Sequence, residues 1–160
     1  MVLAIECVIF CLIMGLMCVL GTGSDEKNIK SYRNYPTVLK EKLKNDPKYK
    51  DKIKEVNPIS VFISNLIMFL VIVFIFGLFI RTESFLYNFV FLLILGQVMN
   101  LFDLLIMDML WFRNTKRVRF SEYSDDSLYK DPKEHIISFL KALVMFTIVA
   151  LIDGAILMLF

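Results

Sequence analysis

The sequence predicts an all-α integral membrane protein, a four-helix bundle with a short amphipathic helical hairpin in its first long loop. Three observations predict it. Residues 59–80 run for twenty-two positions, and residues 84–102 for nineteen, without an Asp, Glu, Lys, Arg or His. At about 1.5 Å per residue either run crosses a hydrocarbon core of about 30 Å. Apolar side chains make up 58% of the chain against 21% charged, too apolar for an ordinary soluble domain. The apolar runs also lack the alternation of a barrel strand, which leaves the helix as the element that pairs its own backbone inside lipid.

The first span is expected over 2–20, interrupted by Glu6. A cleaved secretory signal is the competing reading, and Gly21-Thr22-Gly23-Ser24 would tolerate a cut. The opening Met-Val-Leu-Ala-Ile-Glu carries no positive side chain ahead of its apolar stretch, which argues for a retained span. The other spans are expected over 59–80, 84–112 and 136–160, the last interrupted by Lys141 and Asp153. All 160 residues are read as a single membrane domain, and no internal repeat is visible.

Charge places the loops. Ten of eighteen Lys and Arg lie between Gly21 and Pro58 and six between Arg113 and Lys133, while the turn around Arg81 holds one. Positive loops stay on the cytoplasmic side, so loops 21–58 and 113–135 are expected in the cytoplasm of a multipass cell-membrane protein, with both termini outside. In the first loop Pro36 precedes one expected helix, Thr37–Lys44, and Asn45-Asp46-Pro47 separates it from a second, Lys48–Val56, with Tyr49, Ile53 and Val56 on one stripe. This hairpin suits either a surface-lying position on anionic lipid headgroups or a solvated linker. The second loop opens on a basic juxtamembrane group, Arg113, Lys116, Arg117 and Arg119, and Asp131-Pro132 is a start signal for the last span. Trp111 fits the aromatic belt at the water interface.

Ionisable groups inside a membrane cost on the order of 2.5–3.5 kcal/mol and need a partner, a proton, water or a function. On the third span Gly96, Gln97, Asn100, Asp103, Met107, Asp108 and Trp111 fall within about 140° at 100° per residue, one polar face that should turn away from lipid. Measured from Arg113, Asp108 lies about 7.5 Å deep and Asp103 about 15 Å. Measured from His135, Lys141 lies about 9 Å deep on the antiparallel neighbour, so an Asp108–Lys141 pair is expected. Asp103 has no such partner; either it faces the interior, or residues 103–112 protrude beyond the hydrocarbon. On the outer side Glu6 and Asp153 either meet and share a proton or a cation, or reach separately toward water or Arg81.

Several classes are disfavoured. Cys7, Cys11 and Cys18 fall on one stripe near Met14 and Met17, but without Cys-x-x-Cys and with His135 as the sole histidine they read as packing, and neither a metal site, a cofactor nor a disulfide is expected. Phosphate-loop, nucleophile-elbow and zinc-protease motifs are missing, so the sequence leans away from an enzyme. A net charge of +2 with loops explained by topology gives no case for nucleic acid.

The stretch Asn100-Leu-Phe-Asp103-Leu-Leu-Ile-Met-Asp108-Met-Leu-Trp111-Phe-Arg-Asn-Thr-Lys-Arg117, with His135 before the last span and Tyr35-Pro36 ahead of an amphipathic helix, resembles a block in an uncharacterised family of small four-span membrane proteins of Gram-positive bacteria. The resemblance draws interest to Asn100, Asp103, Asp108, Trp111, Arg113 and His135 and implies no activity. Three functions compete. First is a bundle whose carboxylate-lined face binds or conducts a cation or proton. Second is a non-catalytic subunit that binds anionic lipid or a membrane-protein partner. Third is an intramembrane enzyme with Asp103 and His135 as acid and base, ranked last because depth sets those two about 15 Å apart. A homo-oligomer would help the first two.

Overall fold

The computed structural model describes residues 1–159; the last residue of the expected span 136–160 lies outside the described residues. The described chain is helical, with one isolated bridge between Phe120 and Tyr123 and no strand. Four helices are long and apolar enough to cross a membrane. They are α1 (Val2–Leu20), α4 (Pro58–Gly77), α5 (Phe85–Phe102) continued by a π-helical segment (Asp103–Phe112), and α6 (Lys133–Leu157). Between α1 and α4 lie α2 (Asp25–Asn28), a 3-10 stretch (Ile29–Asn34) and α3 (Thr37–Asn45). Start signals act locally as their chemistry demands. Asn57 Oδ1 accepts from Ile59 N ahead of α4, and Asp131 Oδ1 accepts from Lys133 N ahead of α6.

The chain divides into two compact units. The first comprises Met1–Leu12, Val56–Leu101 and the chain from Phe139 onward. Aromatic rings tie its helices together. Phe10 of α1 meets Phe69 and Phe76 of α4 at 6.4 and 5.3 Å between centroids, and Phe69 meets Phe146 of α6 at 4.8 Å. Gly96 of α5 is a contact point: a Cβ there would lie 2.6 Å from Phe146 Cδ1, so the absence of a side chain is what lets the ring seat against the helix. Many residues on the outer faces of these helices are large and apolar, as lipid requires.

The second unit comprises Ile13–Glu55 and Phe102–Ser138, so both long polar loops fold into one body. Its core is aromatic: Tyr35, Tyr49, Phe112, Phe120 and Tyr129 surround Leu39 and Leu43 of α3. Tyr35 touches Phe112, Phe120 and Tyr129 at 5.3, 5.2 and 6.0 Å and donates to Val118 O at 2.9 Å. Asn28, fully buried, donates to the carbonyls of Arg117 and Arg119 and so joins the two loops. The end of α1 is capped from a distance. Arg117 Nη2 donates to the carbonyls of Val19 and Thr22, and Lys27 Nζ to that of Leu20. Gly23 permits this: its φ of 109° is open to glycine, and Arg117 Nη2 sits 2.9 Å from where a Cβ would be.

The expected hairpin is corrected in two ways. Only its first helix forms; in 48–56 there is a 3-10 turn, Lys50–Lys52, because Asp46 Oδ1 accepts from Lys48 N and Tyr49 is drawn into the core. The α3 stripe is not turned to a membrane surface, since Leu39 and Leu43 are fully buried in the second unit.

A polar latch closes this unit at Asp25. Its Oδ2 accepts from Ser121 Oγ at 2.6 Å and Tyr49 OH at 2.7 Å, and its Oδ1 from Ser121 N at 3.0 Å. Burial alone would raise this carboxyl, but the Ser121 and Tyr49 hydrogen bonds, aided by Lys48, outweigh it and hold the pKa below 3.8. A lowered folded value means that Asp25 contributes its stability in full above about pH 4 and loses it as pH falls through that lower value. Acid unfolding followed by the fluorescence of Trp111, the only tryptophan, should therefore steepen on the acid side, and Asp25→Asn should flatten that limb. An unchanged limb in the variant would rule the latch out.

Candidate functional site

The polar residues of the third span do not share one fate. Gln97 and Asn100 act as interhelical glue: Gln97 Nε2 donates to Leu143 O at 3.1 Å, and Asn100 Nδ2 to Phe139 O at 3.3 Å, both on α6. Their amides serve packing in the first unit rather than lining a site.

Asp103 and Asp108 belong to the second unit and to the π-helical segment. Their spacing explains why that winding matters. On an α-helix residues five apart point about 140° away from each other, whereas an i→i+5 ladder turns each residue by roughly 80° and brings them within about 40°. Asp108 Oδ1 lies 2.8 Å from Nδ1 of His135, on the first turn of α6, whose positive helix end further favours a carboxylate. The His135 ring meets Phe112 edge-on at 4.8 Å and is 4% exposed. Its Nε2 is buried and has no hydrogen-bond partner. Asp103 makes no hydrogen bond or ion pair among the described residues, yet lies within electrostatic reach of both Asp108 and His135. Beside them Glu134 accepts from Lys40 Nζ at 2.8 Å and Thr37 Oγ1 at 3.1 Å, which fixes the start of α6 against α3.

The second half of α1 closes this site. A Cβ on Gly15 would lie 3.7 Å from Met107 Sδ and 3.8 Å from the Phe102 ring, and Cys18 is within electrostatic reach of Asp103 and Asp108. Sequence reasoning gave Cys18 to packing and did not anticipate Phe112 as the ring against the histidine.

Two expectations need correction. Lys141 is not the partner of Asp108; it is exposed and forms no ion pair among the described residues, and His135 takes its place. The depth estimate failed because a π-helix rises less per residue than the α-helix assumed and because His135 is buried inside the second unit rather than marking the water boundary. The separation of about 15 Å between Asp103 and His135 assumed ideal α-helical rise, which the π-helical winding of Asp103–Phe112 does not keep.

The remaining candidates fall as follows. Trp111 packs against the aromatic core of the second unit. Arg113 carries Met109 Sδ at 3.8 Å from its Nη1, and its carbonyl accepts from Arg119 Nη2 at 2.7 Å. Lys116 is exposed, and Arg117 is the cap of α1. Glu6 and Asp153, in the first unit, form no ion pair with Arg81 among the described residues: they are 6% and 2% exposed, and each has a buried oxygen without a hydrogen-bond partner. No protein-family model, no curated protein and no solved structure matches this chain.

Proposed function

We propose that the chain is a multipass four-helix bundle that binds a proton at Asp103, Asp108 and His135; no three such residues are arranged to hold a metal ion among the described residues. The observation that carries this is the 2.8 Å contact from Asp108 Oδ1 to His135 Nδ1, with Nε2 buried and unpartnered. A carboxylate on Nδ1 keeps the proton there and leaves the Nε2 lone pair as a proton acceptor. Asp103, within electrostatic reach of both partners, is a second carboxyl that can take up or release a proton beside them. A π-helical segment at this position is in keeping, since such segments occur frequently at functional sites.

The topology we propose has both long loops cytoplasmic. Its support is twofold: sixteen of the eighteen Lys and Arg belong to the second unit, and both loops share one aromatic core, which needs them on one side of the bilayer. The same basic unit favours a second reading, a recognition module for anionic lipid or for a membrane-protein partner, in which the Asp108–His135 pair only holds the fold together. Resemblance to the small four-span Gram-positive family remains part of the proposal and adds no chemistry to it.

Vesicles holding the full chain and an internal pH dye separate the readings. An imposed pH gradient should give a proton flux that Asp103→Asn reduces about tenfold or more and that Asp108→Asn also reduces, while both variants keep their helical circular dichroism. Flux left intact in both variants would overturn the ion-binding reading, and binding of the same variants to anionic vesicles would then point to the recognition module.

A further inference from the structure

The first unit holds two carboxylates that nothing so far uses. Asp153 lies on the face of α6 that also carries Val149, Ala150 and Leu157, all at most 1% exposed. Next to it Gly154 presses on the backbone of Phe89 in α5, with only 3.1 Å between a would-be Cβ and Phe89 N. Glu6 shares the buried side of α1 with Phe10, the ring that meets α4. Both side chains are more than nine-tenths buried, and Glu6 Oε2 and Asp153 Oδ2 have no hydrogen-bond partner.

Counter-charges are missing from every packed element. Within this unit α4 carries no ionisable acid or base and α5 only the exposed Tyr87, the Met1 amine and Lys141 on α6 are exposed, and Arg81 and Glu83 lie on the exposed turn between α4 and α5. Cys7 and Cys11 are the other titratable side chains of the part of α1 that belongs to this unit. Nor is there an oxygen cage. The buried amides are occupied, Asn88 by the backbone of Thr82 and Asn100 by Phe139 O. A hard metal cation asks for about six oxygen ligands, whereas a proton asks for one.

We infer that Asp153 and Glu6 are two further proton-binding carboxyls, each carried by the interior of the first unit. The inference does not rest on the reading of Asp103, Asp108 and His135. Each carboxyl there exchanges a proton with water when the helices around it open, and otherwise keeps it, because an ionised group in that interior has nothing to solvate it.

The test is infrared difference spectroscopy of the full chain in phosphatidylcholine vesicles, in an Asp103→Asn, Asp108→Asn background that removes the carboxyls of the site in the second unit. A carbonyl band of a protonated carboxyl should fade reversibly as the pH is raised from about 5 to about 10, the range buried carboxyls reach. Asp153→Asn should remove roughly half of it and Glu6→Gln the rest. A band absent at every pH, unchanged across the range or indifferent to both substitutions would overturn the inference. Dicyclohexylcarbodiimide on the unsubstituted protein gives a second reading that needs no variant to fold. The O–H of a protonated carboxyl adds across a C=N bond of this apolar reagent, oxygen to carbon and proton to nitrogen, and the acylisourea rearranges to a stable acylurea with nothing lost, so mass spectrometry should find adducts at Asp153 and Glu6 that decline at high pH. An unmodified pair at acid pH would also overturn the inference.

Discussion

His135→Ala is expected to destabilise the folded protein by about 2–3 kcal/mol, the cost of removing a neutral imidazole's hydrogen bond to the Asp108 carboxylate. The histidine is 4% exposed but the Asp108 side chain is 20% exposed, so water softens the exposure of the orphaned carboxylate and keeps the loss from going higher. Asp108→Asn should cost less, because an amide in the same place still accepts from Nδ1 and carries no charge. Removing both partners should recover part of the loss, giving a coupling of more than about 1 kcal/mol in a double-mutant cycle. Denaturant unfolding in detergent micelles, followed by Trp111, is the measurement. A His135→Ala variant within about 0.5 kcal/mol of the parent, the range of a surface substitution, would show that the pair does not exist.

Tyr35→Ala should have an effect of similar size on the second unit, about 3–5 kcal/mol, as for other buried aromatic-to-alanine changes. Tyr35 is 1% exposed and touches three rings at once, so its loss leaves a void that the surrounding rings cannot all close. Tyr35→Phe separates packing from polarity. It keeps the ring and strands only Val118 O, at a cost of about 1 kcal/mol. Hydrogen exchange resolved by segment should show the loss in residues 25–45 and 113–131 of the alanine variant. Equal behaviour of the two variants would mean that the ring does not hold the core together.

The spans were legible because lipid imposes a one-dimensional rule. A charge-free run such as 59–80 has one economical fate, and the helix found there, Pro58–Gly77, ends only three residues early. Thr37 and Lys133 were equally legible as starts, since the capping and proline chemistry that opens a helix is local. What the sequence concealed is tertiary. Tyr49, Ile53 and Val56 have helical spacing, but Tyr49 earns more from the aromatic core than from a helix stripe, and the helix does not form. Leu39 and Leu43 look like a membrane-facing stripe because periodicity records that a face is covered and not what covers it.

The candidate site was half legible. The cost of ionisable groups in lipid picked out Asp103 and Asp108, and their five-residue spacing was in plain view. Pairing needed the third dimension. With an assumed rise of about 1.5 Å per residue, Lys141 falls level with Asp108, and only the π-winding turns the two aspartates toward one side and places Asp108 against His135. Gln97 and Asn100 share the same helical face by spacing yet serve packing, because the backbone carbonyls they bind on α6 are invisible in a sequence.

The chain has one histidine, so nitrogen-15 NMR of histidine-labelled protein in micelles reports His135 alone. The hydrogen bond to Asp108 requires the proton on Nδ1, shielded from water, with Nε2 bare whenever the ring is neutral. A slowly exchanging Nδ1–H that Asp108→Asn weakens is the expected spectrum. A rapidly exchanging ring with the proton mainly on Nε2, the same in parent and variant, would contradict the pair on which the proposed site is built.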